Sequence, residues 1–304
     1  MKQWIFIISL VSMAMAGCKN EAAKTEAPKA ELKLSLAEWS LHKTLFDGKM
    51  VNMQFAAKAK ELGFTGIEYV NQFFKDKAEN TAYLDSLNAA AKAAGITQVL
   101  IMIDGEGYLG EADSVRRDSA VNAHKKWVTA AKHLGCHSIR VNAHGEGTAE
   151  EVSANVVKGL TALSQFAAQH GINVIVENHG GYSSNGAWLA DVMKKVNLPN
   201  CGTLPDFGNF CLKREGGVMW GAPCTEEYDR YKGIEEILPF AKGVSAKSYD
   251  FDAEGNDTKI DYKKMLDLVK ASGYSGFIGV EYEGEKDSEI DGIKKTKALI
   301  EKNW

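Results

Sequence analysis

Proline is scarce in this chain, with five in 304 residues, and no window repeats Gly and Ser. A long extended linker or a low-complexity region is thereby excluded. Basic residues are not in excess: 36 Lys and Arg stand against 40 Asp and Glu, a formal charge of −4. Nucleic-acid binding draws on a basic surface, so no nucleic-acid partner is expected. The five cysteines show no CxxC spacing, which argues against a structural zinc ribbon. Beyond the N-terminus no stretch reaches the ~18 uninterrupted apolar residues of a membrane span. There is no P-loop and no nucleophile elbow. What is present, 45% hydrophobic and 25% charged residues, is the composition of a globular domain.

The N-terminus reads apart from that domain. Residues 1–17, MKQWIFIISLVSMAMAG, carry an early Lys2, a short apolar run and then small residues, the pattern of a signal peptide. Met15-Ala16-Gly17-Cys18 resembles a bacterial lipobox, which makes Cys18 the expected lipidation site. Residues 18–31 then read as a lipidated Cys and a polar, disordered tether. The expectation is an exported lipoprotein, periplasmic or at the cell surface, anchored to a membrane through its lipid. Because disulfides persist outside the cytoplasm, Cys211 and Cys224, which bracket the Gly-rich LKREGGVMWGAP, are candidates for a bridge.

From residue 32 one period runs to residue 304. Eight short apolar or β-branched runs, beginning at Leu34, Gly66, Ile96, Ser138, Asn173, Cys201, Gly243 and Phe277, alternate with segments whose apolar residues recur every three or four positions. Such alternation predicts parallel strands joined by right-handed helical crossovers. Eight units in 32–304 match a single-domain α/β fold, the (β/α)8 TIM barrel, of typical size about 250 residues.

A barrel builds its active site at the C-terminal ends of its strands. These runs end in Glu38 and Trp39, Glu68, Asp104, Asn142 and His144, Glu177 and His179, Asp206, Lys247, and Glu281 and Glu283. Alternation sends residues i and i+2 to the same side, so Glu177 with His179, and Glu281 with Glu283, share a face. NVIVENHGG and FIGVEYEG drive buried apolar runs straight into carboxylates, which is costly unless the charge is paired or coordinated. Glu177, Asp206 and Glu281 converging would repel one another unless a cation lay between them. All-oxygen ligands favour Mg²⁺ or Mn²⁺, and a His ligand would tilt the site toward Mn²⁺ or Zn²⁺.

ENHGG on strand five, LPDFGNF on strand six, AKSYDF on strand seven and VEYEG on strand eight resemble the xylose-isomerase-like TIM barrels, a group of sugar isomerases and epimerases with endonuclease IV relatives. The resemblance implies a divalent metal held by Glu, Asp, His and Glu from strands five to eight. Glu177, Asp206 and Glu281 match; the His position of an HxK pattern reads Ser245, with Lys247 kept. The fourth ligand is then water, His179 or His144, or the metal is weak or absent.

By the same resemblance the reaction is proton abstraction beside a sugar carbonyl through an enediolate. Glu177 and Glu281 serve as acid and base, with His179 and Lys247 assisting. Trp39, Glu68, His144 and His179 are the substrate-binding candidates. Expulsion of a leaving group from the same intermediate gives a second reading, a 3-keto-glycoside lyase or hydrolase. A third is a non-catalytic carbohydrate-binding lipoprotein. The partner is a small carbohydrate in all three, and a homo-oligomer is admitted but not specified. Gly105, Gly107 and Gly110 match GxGxxG, but no helix opens from that turn, so a flexible lid loop is expected instead of a dinucleotide site. The stretch around Gly216 and Gly217 reads as a second flap, and DAEGND near Asp252 as a solvated turn.

Overall fold

A computed structural model of the chain describes Met1 and residues 31–304. The expectations for residues 1–17, for Cys18 and for the tether up to residue 30 lie outside the described residues. Strands form where β-branched and apolar residues run together: β1 (Lys33–Ala37), β2 (Gly66–Val70), β3 (Thr97–Met102), β4 (Ser138–Val141), β5 (Asn173–Glu177) and β6 (Cys201–Leu204) come first. A two-stranded antiparallel hairpin, β7 (Cys211–Arg214) and β8 (Cys224–Glu227), interrupts the period before β9 (Val244–Ser248) and β10 (Phe277–Tyr282). The eight remaining strands are parallel, in the order β6-β5-β4-β3-β2-β1-β10-β9. Parallel bridges Thr203–Ala241 and Asp206–Ser245 close the seam between β6 and β9. This is the single-domain TIM barrel that the eightfold period predicts.

Helices cover the outside. The helix Ala149–Gln169 begins at a capping box of Thr148 and Glu151, and buries Val152, Val156, Leu160 and Leu163 along one stripe. The main core lies between helices and strands, while a smaller apolar plug of Ala37, Val70, Leu100, Met102, Ile175 and Leu204 fills the barrel interior. Among the described residues no helix is long and apolar enough to cross a membrane.

Several strands end sooner than the apolar runs suggest. β1 stops at Ala37, and Glu38–Leu41 form a 3-10 turn. β3 stops at Met102, before Asp104, and β5 at Glu177, before His179. Beyond those points side chains replace the ladder: Asp104 N donates to Asn71 Oδ1, His179 N to Ser183 Oγ and Asp206 N to Asn178 Oδ1. The backbone is thus freed from the sheet while its amides stay satisfied, and the mouth residues are held by side chains.

Candidate functional site

Alternation along the strands places Ser35, Glu68, Arg140, Glu177, Ser245, Lys247, Gly279 and Glu281 in the inward-facing set. Glu68 is not at the end of strand two, as the sequence suggests, but in the middle of β2. Its Oε1 accepts from Ser35 Oγ at 2.6 Å, and it makes no ion pair with Lys247. Gly279 on β10 makes room for it, since a Cβ there would lie 2.5 Å from Glu68 Oε1. Burial, with help from Glu281 and Glu177, pushes the Glu68 carboxyl up to about 8, so it is largely protonated at neutral pH.

One prediction follows from that proton. A carboxyl whose folded pKa exceeds its unfolded value, about 4.3, holds its proton more tightly when folded. Its stabilisation is complete below the unfolded value and is lost as pH rises through about 8. Stability is therefore expected to fall between about pH 5 and about pH 9, on the order of a few kcal/mol, and Glu68→Gln should flatten that slope. Denaturant melts across this range check it; equal slopes for the two proteins would sink the assignment.

Above Glu68 the three acids meet. Carboxylate oxygens of Glu177, Asp206 and Glu281 all lie within 4.8 Å of one another, and all three residues are buried. Asp206 Oδ1 accepts from the backbone N–H groups of Gly208 and Asn209, each at 2.9 Å, so the turn after β6 fixes its orientation. Asn209 Nδ2 donates to Glu177 Oε1 at 2.9 Å. The Ser245 hydroxyl sits 2.6 Å from Asp206 Oδ2 and 3.1 Å from Glu281 Oε2. With one proton it serves only one of these oxygens.

Two buried cations flank the trio. Lys247 Nζ lies 3.1 Å from Glu281 Oε1 and 3.2 Å from Glu283 Oε2. Arg140, on β4, lies 2.8 Å from Glu177 Oε2 and 2.9 Å from Asp104 Oδ1. Burial works against the charge on Lys247, but Glu281 and Glu283 outweigh it and raise its pKa. Burial also opposes ionisation of Asp104, yet the Arg140 guanidinium and the Asn142 amide hold it below the usual carboxylate range.

Five carboxylates, those of Asp104, Glu177, Asp206, Glu281 and Glu283, thus face two cations. The imbalance appears as protons: burial, with repulsion from Glu177 and Glu281, pushes Asp206 up to about 8, and burial raises Glu281 too. A site that draws protons onto clustered acids fits a divalent cation. Its donors are three carboxylates and a hydroxyl, which suit a hard ion such as Mg²⁺ or Mn²⁺ more than Zn²⁺.

The histidines stand beside this cluster. Asn142 Nδ2 donates to Asp104 Oδ1 at 2.7 Å, which turns its Oδ1 toward His179 Nδ1 at 2.9 Å. Nδ1 therefore carries the proton, and Nε2 is the lone-pair nitrogen. Burial and the nearby Arg140 hold His179 well below its ordinary pKa, so it is neutral at pH 7. His144 is committed through Nε2 to the His179 carbonyl at 2.8 Å, so it positions its neighbour. Trp39 lies on the turn after β1, where its Nε1 donates to Glu283 Oε1 at 2.6 Å.

The three motifs set aside in the sequence are also located. The loop Gly105–Gly110 is tied down: Glu106 accepts from Trp127 Nε1 at 2.8 Å and Leu109 is fully buried. Asp252 Oδ1 accepts from the N–H groups of Glu254 and Asn256 and caps its own turn. Cys211 and Cys224 are joined by a disulfide across the β7–β8 hairpin. Arg140, Asn209 and Trp220, whose ring lies 4.5 Å from that of His179, are the site residues that the sequence reading misses.

The profile of the family described as xylose isomerase-like TIM barrel matches residues 56–303. Curated proteins give no match. Among solved structures, the 3-keto-D-glucoside 4-epimerase YcjR from E. coli is 15% identical with a TM-score of 0.65, over 90% of this chain and 100% of that one. D-psicose 3-epimerase from Clostridium cellulolyticum H10, solved with D-tagatose, is 13% identical with a TM-score of 0.65, over 90% and 98%. The IolI protein with a bound zinc atom is 16% identical with a TM-score of 0.67, over 90% and 99%. At these identities the likeness speaks for the fold, and the profile match for the lineage. The chain belongs to the xylose isomerase-like TIM barrel family.

Proposed function

We propose that this protein is a metal-dependent sugar isomerase or epimerase that removes a proton from the carbon beside a carbonyl. The observation that carries the reading is the convergence of Glu177, Asp206 and Glu281 within 4.8 Å at the barrel mouth. Glu177, Asp206 and Glu281 would hold the ion, with Ser245 Oγ beside Asp206 and Glu281. A divalent ion bound there would polarise a sugar oxygen and stabilise the negative charge that develops when the C–H proton leaves.

The chain's own groups do the rest. Glu177 on β5 and Glu281 on β10 come from different sides of the barrel, an arrangement suited to a base on one face of a carbon and an acid on the other. Arg140 keeps Glu177 paired, and Lys247 does so for Glu281. Neutral His179 offers Nε2 as an acceptor for a substrate hydroxyl proton. The proposal extends to an exported lipoprotein with Cys18 as its anchor, and the Cys211–Cys224 disulfide supports that compartment. Expulsion of an aglycone is the second reading; the Nε2 lone pair of His179 supports it, since it would take the proton of a substrate hydroxyl and pass that proton to the departing oxygen.

The test is turnover of keto-sugars in D2O by residues 19–304 loaded with Mn²⁺ or Mg²⁺. Deuterium at an inverted or isomerised carbon supports the first reading, and a released aglycone from keto-glycosides supports the second. No exchange and no release with either ion would overturn both.

A further inference from the structure

We infer that the disulfide-closed hairpin β7–β8 is a wall of the substrate site, with Trp220 as the stacking face for a second ring, so that the site takes a two-ring glycoside. This rests on the sugar-enzyme reading above and names its substrate class. The hairpin is rooted in the site itself: Asn209, which binds Glu177, is two residues before Cys211, and Tyr228 N closes the base on the Phe210 carbonyl.

Its tip is pinned, not loose. The disulfide crosses the two strands, Glu215 N donates to the Pro223 carbonyl, and Arg214 donates to the carbonyls of Met219 and Ala222 at 3.1 and 2.9 Å. The same guanidinium lies 5.7 Å over the Trp220 ring. Residue 180 must be glycine for the tip to seat: its φ is +83°, and a Cβ there would lie 3.0 Å from Met219 Sδ and 3.1 Å from the indole. Packed against His179 in this way, Trp220 still leaves 44% of its surface exposed. A rigid indole held half-open beside the His179 imidazole is what a sugar ring requires: an apolar face next to a hydrogen-bonding group.

The opposite rim carries a second aromatic group. β1 and β5 stand four strands apart in a ring of eight, so Trp39, on the turn after β1, and His179, just beyond β5, lie on opposite sides of the mouth. Trp39 stacks on His42 at 4.8 Å and contacts Phe46 and Phe73. Between the two indoles runs the polar line Glu283, Lys247, Glu281, Asp206, Glu177, Asn142 and His179. One ring over the acids leaves Trp220 uncovered, and a second ring covers it.

The experiment compares 3-keto-glucose with p-nitrophenyl 3-keto-glucoside and 3-keto-cellobiose on metal-loaded wild type, Trp220→Ala, Trp220→Phe and the Cys211→Ser/Cys224→Ser double variant. Trp220→Ala is expected to lower the two-ring to one-ring ratio of kcat/KM about tenfold, through KM for the two-ring substrates. Trp220→Phe should restore most of it, and the cysteine variant should shift the ratio the same way. An unchanged ratio, with turnover intact, overturns the wall and leaves the sugar reading standing. As a readout apart from turnover, calorimetry on the Glu281→Gln chain compares methyl glucoside with cellobiose. Tighter cellobiose binding that Trp220→Ala abolishes supports the wall; equal affinities overturn it; no binding and no turnover of any sugar overturn the wall and the reading beneath it together.

Discussion

Glu281→Gln is expected to reduce turnover by about a thousandfold or more while the barrel stays folded, because on the proposed function one atom change removes both a proton-transfer group and a metal ligand. Glutamine has nearly the shape of glutamate and keeps an oxygen for Lys247. That lysine also retains Glu283 at 3.2 Å, so no buried cation is stranded. The substitution removes one of the charges that raise the Asp206 pKa. The metal-free variant should therefore melt at the wild-type temperature or slightly above it.

The two proteins should part when metal is added. An ion that binds only the folded state stabilises it by about 2.7 kcal/mol at a hundred times its dissociation constant. Wild type should show a rise in Tm with Mn²⁺ or Mg²⁺ and about one ion per chain by elemental analysis; Glu281→Gln should show neither in full. Activity retained to within about threefold, well under the effect of a lost acid or base, would refute the assigned role.

How far the site was legible depends on what each residue does for the strand it sits in. Glu177, Asp206 and Glu281 announce themselves because each follows an apolar run that is buried, and a carboxylate there needs an explanation. The two-residue period then brings them to one face. Glu68 obeys the same rule but was read one layer too high: β2 continues to Val70, past a register shift between Ile67 and Glu68. Asn209 works through a turn whose geometry no pattern encodes. Trp220 reaches His179 only because an insert folds back across the mouth, and the bracketing cysteines were the one trace of that. The signal for Arg140 was present, an arginine between Ile139 and Val141 on the same face as Asn142, but its meaning depends on partners from β3 and β5.

Those partners make Arg140→Met a strongly destabilising change. The guanidinium is 4% exposed and sits between Asp104 at 2.9 Å and Glu177 at 2.8 Å. Methionine fills much of the volume but leaves the buried Glu177 and the half-buried Asp104 without their cation, a loss of about 3–5 kcal/mol. The deficit has a predicted pH dependence. Without the Arg140 guanidinium, burial raises the folded pKa of Asp104, so the variant recovers stability as pH falls and that acid takes up a proton. Denaturant melts should show the full deficit near about pH 8 and a smaller one near about pH 5. Adding Asp104→Asn should return part of the loss, since it removes one stranded charge and keeps an acceptor for Asn142. A deficit below about 1 kcal/mol, the range of a surface pair, would mean that Arg140 does not hold Asp104 ionised. The position of His179 is tied to the same result: Asp104 orients Asn142, and Asn142 sets which nitrogen of His179 carries the proton. Loss of Arg140 should therefore disturb in one stroke both Glu177, the base of the proposed reaction, and the proton placement on His179.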